Sequence, residues 1–153
     1  MKMDGKIRVA TDAKYKELYN NMKGNGVVED FHALFFVCAC LGFKNKKMTP
    51  IKKRDDRFWS GTITPSEWSC YYAIILEQNG FDFTKVSDEK EIMEVIERYA
   101  NSGMEILIDE FLEDFLLPSS KKTIPQLDNA VCKTLPKQFV HFIFELSEPD
   151  RLE

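Results

Sequence analysis

The stretch Asp30–Phe43, DFHALFFVCACLGF, decides how the rest of the chain is read. From Phe31 to Leu41 only His32 is polar, so a helix built on it is apolar all round and belongs at the centre of a fold, covered on most sides. Glu29 and Asp30 stand at its start, where the positive end of the helix dipole favours carboxylates. Gly42 is the expected stop. The run is far short of the ~20 residues a bilayer-spanning helix needs.

Working outward, KIRVAT near the start reads as a short extended stretch, with Ile7 and Val9 alternating against charged neighbours. Thr11 or Asp12 caps a helix to about Lys23, whose stripe is Tyr15, Leu18, Tyr19 and Met22. Downstream, Thr64-Pro65-Ser66-Glu67 has the form of a capping box for a helix through Trp68, Tyr71, Tyr72, Ile75 and Leu76 to Asn79 and Gly80. Ser87 is placed to cap a fourth helix striped by Ile92, Val95, Ile96 and Tyr99. Gly103 is read as a break before a fifth helix, Met104 to Leu116, ended by Pro118. The segment Phe139–Leu146, FVHFIFEL, fits a strand or a short helix equally well.

The fold expected is therefore mainly α: about five helices around Phe31–Leu41, a short N-terminal strand, and a C-terminal element of open type. Residues 1–117 form the helical domain, and 118–153 a linker and C-terminal appendage packing on it. With 44% hydrophobic residues and 12 Phe among 153, the chain has ample core for one domain, which excludes disordered and fibrous classes. Cys38, Cys40, Cys70 and Cys132 lack the paired spacing of a zinc site and read as reduced core thiols, so no metal or cofactor is expected. The opening MKMDGKIRVATDAK does not resemble an export signal. A soluble, cytoplasmic protein with no membrane partner is the expectation.

Charge is unevenly laid out. The segment Lys44–Arg57, KNKKMTPIKKRDDR, has seven basic and two acidic residues, net +5, and reads as an exposed loop. Glu77–Asp114 has twelve acidic and three basic, net -9, although the whole chain is only -4. Lys44, Lys46, Lys47, Lys52, Lys53, Arg54 and Arg57 are thus the candidate contacts to a polyanion, above all nucleic-acid phosphates. Phe58 and Trp59 follow directly, and Trp59 is a candidate to stack on a base. The competing reading is a solvated loop paired with the chain's own acidic helices, with both aromatics in the core.

No catalytic motif is present: no P-loop, GxGxxG, GxSxG or HExxH. Asp55, Asp56, His32 and Cys38 are the candidates an unfamiliar enzyme would offer. Asp109, Glu110, Glu113 and Asp114 lie opposite an apolar stripe and read as a solvated face rather than a metal site. A non-enzyme is expected.

Three blocks in order, KIRVATDAKYKELYNNM, DFHALFFVCACLGFKNKKMTPIKK and EIMEVIERYANSGMEILIDEFL, together resemble the DNA-phosphorothioation-associated accessory family of bacteria. That family pairs an apolar helix ending in A-L-G-F/Y and basic residues with a Y-A-N-G-G-x-E-I-L block. The resemblance spans roughly residues 5–117, and Ser102 stands where the block has a glycine. It implies membership of a bacterial DNA-modification-linked, restriction or anti-phage defence system acting on foreign DNA. With no catalytic motif in the chain, the expected role is a non-catalytic accessory subunit binding DNA or a DNA-processing partner such as a helicase, ATPase or nuclease. The alternative is a protein-interaction scaffold without nucleic-acid contact, using apolar surface near Trp59, Trp68, Tyr71 and Tyr72.

Overall fold

Gly42 and Gly103, two of the glycines that read as stops, lie inside helices. In the computed structural model, which describes residues 4–82, 84 and 88–147, helix α2 runs Phe31–Lys44 through Gly42, and helix α4 runs Glu89–Leu107 through Gly103. The two helices make the most extensive contact of any pair of elements, and the glycines sit in it. A Cβ on Gly42 would lie 2.0 Å from the Tyr99 carbonyl oxygen, and one on Gly103 would lie 1.6 Å from that of Cys38. Helical glycine costs about 1 kcal/mol against alanine. Here it lets two backbones approach more closely than any side chain would allow. The expected breaks are corrected for that reason.

The same correction removes a helix boundary. The fourth and fifth expected helices form one rod, because α4 passes into a π turn at Ile108–Leu112 and a 3-10 turn at Glu113–Phe115. The Ser87 cap lies outside the described residues. Asp88 is the N-cap seen, its carboxylate accepting from Glu91 N at 3.0 Å.

Strand β1, Arg8–Asp12, forms where alternation predicted it, and pairs antiparallel with β2, Arg54–Trp59. Asp12 caps a 3-10 turn that leads into α1, Lys16–Gly24. Val9 faces Phe58 and Ala10 faces Asp56, so Arg57 is the extra residue of a β-bulge. The expected loop Lys44–Arg57 is therefore corrected at its end. RDDRFW lacks a strand's apolar alternation and forms one because β1, far upstream in sequence, supplies the ladder.

Helix α3, Pro65–Gln78, starts on the capping box read from sequence: Glu67 N donates to Thr64 Oγ1 at 3.2 Å, and Thr64 N to Glu67 Oε1 at 2.9 Å. The ambiguous C-terminal segment is helix α5, Leu135–Ser147. Its type is settled by Phe111 of the π turn, whose ring stacks on Phe142 at 4.8 Å and lies 5.9 Å from Phe139. Leu127, Cys132, Leu135 and Phe139 are buried in the same core as Leu34, Phe35, Ile92, Ile96 and Leu107. Among the described residues no helix is long and apolar enough to cross a membrane.

Candidate nucleic-acid interface

Between α2 and β2 the chain lies as a strap along α4, running opposite to it. Ser102 Oγ donates to the Lys47 carbonyl, and Asn101 Nδ2 donates to the carbonyls of Thr49 and Pro50, both at 3.1 Å. Thr49 N returns a bond to the Arg98 carbonyl at 3.1 Å. At the far end Lys52 N donates to Asp12 Oδ2 at 3.1 Å, and Ala13 N to the Lys53 carbonyl at 2.8 Å. Four of the seven cations, Lys46, Lys47, Lys52 and Lys53, are thus mounted on a backbone fixed at both ends, while Lys44 closes α2 and Arg54 and Arg57 belong to β2. Asn101 and Ser102 were not among the residues singled out as functional, and the Tyr99–Leu107 block was the signal that marked them.

Three of the seven cations are paired with carboxylates of the molecule and a fourth, Lys46, lies over the Phe43 ring, its Nζ 5.9 Å from the centroid, which corrects the expectation of an outward, unneutralised cluster. Arg57, the bulge residue, turns inward: its side chain is 3% exposed, Nε donates to Thr11 Oγ1 at 2.9 Å, and Nη2 is 3.0 Å from Asp55 Oδ2. Its guanidinium also lies over the Tyr19 ring, 5.2 Å from the centroid. Arg54 forks onto Glu97, with the second contact at 3.2 Å, and the Glu97 hydrogen bond raises its pKa further. That carboxylate is buried and also accepts from Ala10 N at 2.9 Å, so Arg54 is the counter-charge of a core group. Lys47 reaches Glu105 at 3.7 Å.

Lys44, Lys46, Lys52 and Lys53 differ from the three that are paired. All four are exposed, and none makes an ion pair among the described residues. They fall in two pairs, one beside Lys47 and Glu105, the other beside Arg54 and Glu97. Glu97 and Glu105 are eight residues apart on α4, which is about 12 Å of helix axis. That exceeds the Debye length of ~8 Å at physiological salt, so the pairs act as separate contacts. A groove of about 490 Å³ opens beside the strap, lined by Pro50, Ile51, Arg54, Lys90, Glu94 and Arg98.

Trp59 is half exposed, with the Arg8 guanidinium 4.4 Å from its ring centroid, whereas Phe58 is buried against Phe35. Six residues of strand, about 20 Å, separate Trp59 from Lys53. The structure does not bring the aromatic candidate to the free lysines. On α3 Tyr71 is fully buried, which corrects the expected aromatic surface at that residue, whereas Trp68, edge-on to it at 6.0 Å, and Tyr72 are half-buried.

The catalytic candidates are dispersed. Cys38 is fully buried in the α2–α4 contact, and burial pushes its thiol well up; burial also pushes the Cys40 thiol up to about 12. Thiolate chemistry is disfavoured at both. His32 Nδ1 lies 3.0 Å from Glu67 Oε1, within the cap of α3. Asp55 faces Arg57, and Asp56 lies 3.5 Å from Arg8. On the acidic face Lys121 bridges Glu113 at 2.9 Å and Asp109 at 3.2 Å, and those two carboxylates raise the lysine's pKa.

A protein-family profile described as DNA sulphur modification system-associated protein 4 matches residues 6–121. No curated protein and no solved structure matches the chain. The matched span takes in β1, the strap and the whole Tyr99–Leu107 block.

Proposed function

The chain belongs to the DNA sulphur modification system-associated protein 4 family, and from that premise we propose that it is a non-catalytic accessory subunit of such a system, holding DNA by its backbone. Four exposed lysines without ion pairs, Lys44 at the end of α2 and Lys46, Lys52 and Lys53 on a strap pinned to α4, support this reading above any other feature. A pinned strap presents its charges without first losing conformational freedom, so less of each phosphate contact is offset by ordering. Contacts of this kind position a protein on DNA and read little sequence. The subunit works in the cytoplasm beside the other components of the system. The net charge of -4 restricts binding to this one surface, since the acidic flank of the molecule repels the duplex.

The test compares two sets of substitutions by fluorescence anisotropy on duplex DNA. Replacing Lys44, Lys46, Lys52 and Lys53 together by Ala removes binding, while Lys47→Ala alone weakens it only slightly. Equal losses from both, or binding unchanged by the fourfold replacement, contradict the reading. Recovery of a protein partner from nuclease-treated extract, with no DNA binding by the purified protein, establishes the scaffold alternative instead.

A further inference from the structure

Helix α5 has two apolar faces, and among the described residues one of them is uncovered. Leu135 and Phe139 are buried, but Val140 is 67% and Phe144 61% exposed, one turn apart on the outer side. Beside them α5 and α2 enclose a groove of about 240 Å³, formed by Phe36, Val37, Cys40, Ile143 and Leu146, with Lys44 at the rim. Scattered exposed apolar residues are ordinary, but a protruding aromatic next to an apolar hollow marks a contact surface. The hollow is smaller than the roughly 300–1,000 Å³ of small-molecule sites, and so suits an inserted side chain.

We propose that a second copy of this chain covers this face, in a two-fold pair with the two α5 helices antiparallel. A two-fold contact requires a single patch to complement itself. This patch does so in shape, because Phe144 supplies the projection and the neighbouring groove the recess. It also does so in charge. Lys137 and Glu145 are eight residues apart on α5, about 12 Å, and both are exposed. Antiparallel packing brings Lys137 of each copy to Glu145 of the other, at both ends of the apolar centre. Parallel packing would oppose like charges. The contact Glu145 already makes, with His141 at 3.0 Å, is solvent-facing and weak enough to be shared. Of the four lysines of the proposed DNA surface only Lys44 lies at the rim of this groove, and the dimer is read in the absence of DNA.

Sedimentation equilibrium of the full chain at physiological salt reads the outcome. The dimer mass is expected at micromolar concentration, with Phe144→Asp giving a monomer. Because Phe144 is exposed, that variant keeps its helical circular dichroism. Lys137→Glu alone weakens the dimer roughly tenfold by making two attractive contacts repulsive, and adding Glu145→Lys restores it. A wild-type monomer overturns the proposal. So does a dimer indifferent to Phe144→Asp, an open-ended assembly, or a double charge reversal no stronger than Lys137→Glu.

Discussion

Helix α4 is gripped on two flanks by different means. On one, Gly103 lies directly against the α2 backbone at Cys38, and the Tyr99 carbonyl against Gly42. On the other, Asn101, Ser102 and Glu105 hold the strap, and Glu97 holds Arg54 where it enters β2, by hydrogen bonds and ion pairs. The first contact is steric and admits no added atom. The second is polar, can be edited one group at a time, and leaves charge on display. A single short block, Tyr99–Leu107, supplies residues to both, which ties the placement of the basic surface to the packing of the core.

The steepest test of this contrast is Gly103→Ala. The added methyl meets backbone, which cannot rotate away, so a loss of about 3 kcal/mol or more is expected in urea unfolding. Cys38, silent to thiol reagents in the native wild type, becomes reactive as the helices separate. A near-neutral Gly103→Ala would break the steric half of the comparison.

Arg57→Ala follows in size, at about 3 kcal/mol, because it removes a buried cation from Thr11, Asp55 and Tyr19. Calorimetry checks it. The strap flank yields less: Asn101→Ala leaves two carbonyls without their donor and costs about 1–2 kcal/mol. It also weakens DNA binding, as the lysines lose their fixed mounting, so equal stability with full affinity would detach the clamp from function. Smallest in stability is Lys52→Ala with Lys53→Ala, within about 0.5 kcal/mol of wild type by thermal unfolding.

Much of the fold was legible where the signal is local. The capping box at Thr64, the stripe at Tyr15–Met22 and the alternation at Val9 need only neighbours in sequence. What escaped depends on distant partners. Gly42 and Gly103 carry a stop signal in isolation, and only the backbone each faces makes them crossing residues. β2 is unreadable without β1, and Arg57 looks like any surface arginine until the bulge turns it inward. Phe111 decides that FVHFIFEL is a helix. At the candidate site, the excess of positive charge was plain in the run Lys44–Arg57, against a net charge of -4 for the whole chain. Which cations remain free was not, since Glu97 and Glu105 lie in another helix.

The salt dependence of duplex binding by the wild-type chain tests the central claim most directly. Seven free cations would have given a steep slope; four give a slope of log K against log salt of about -3.6. The slope falls by about 1 for each of Lys44, Lys46, Lys52 and Lys53 replaced, and stays unchanged when Lys47 is replaced. A flat dependence, or a slope insensitive to those four lysines, contradicts the account.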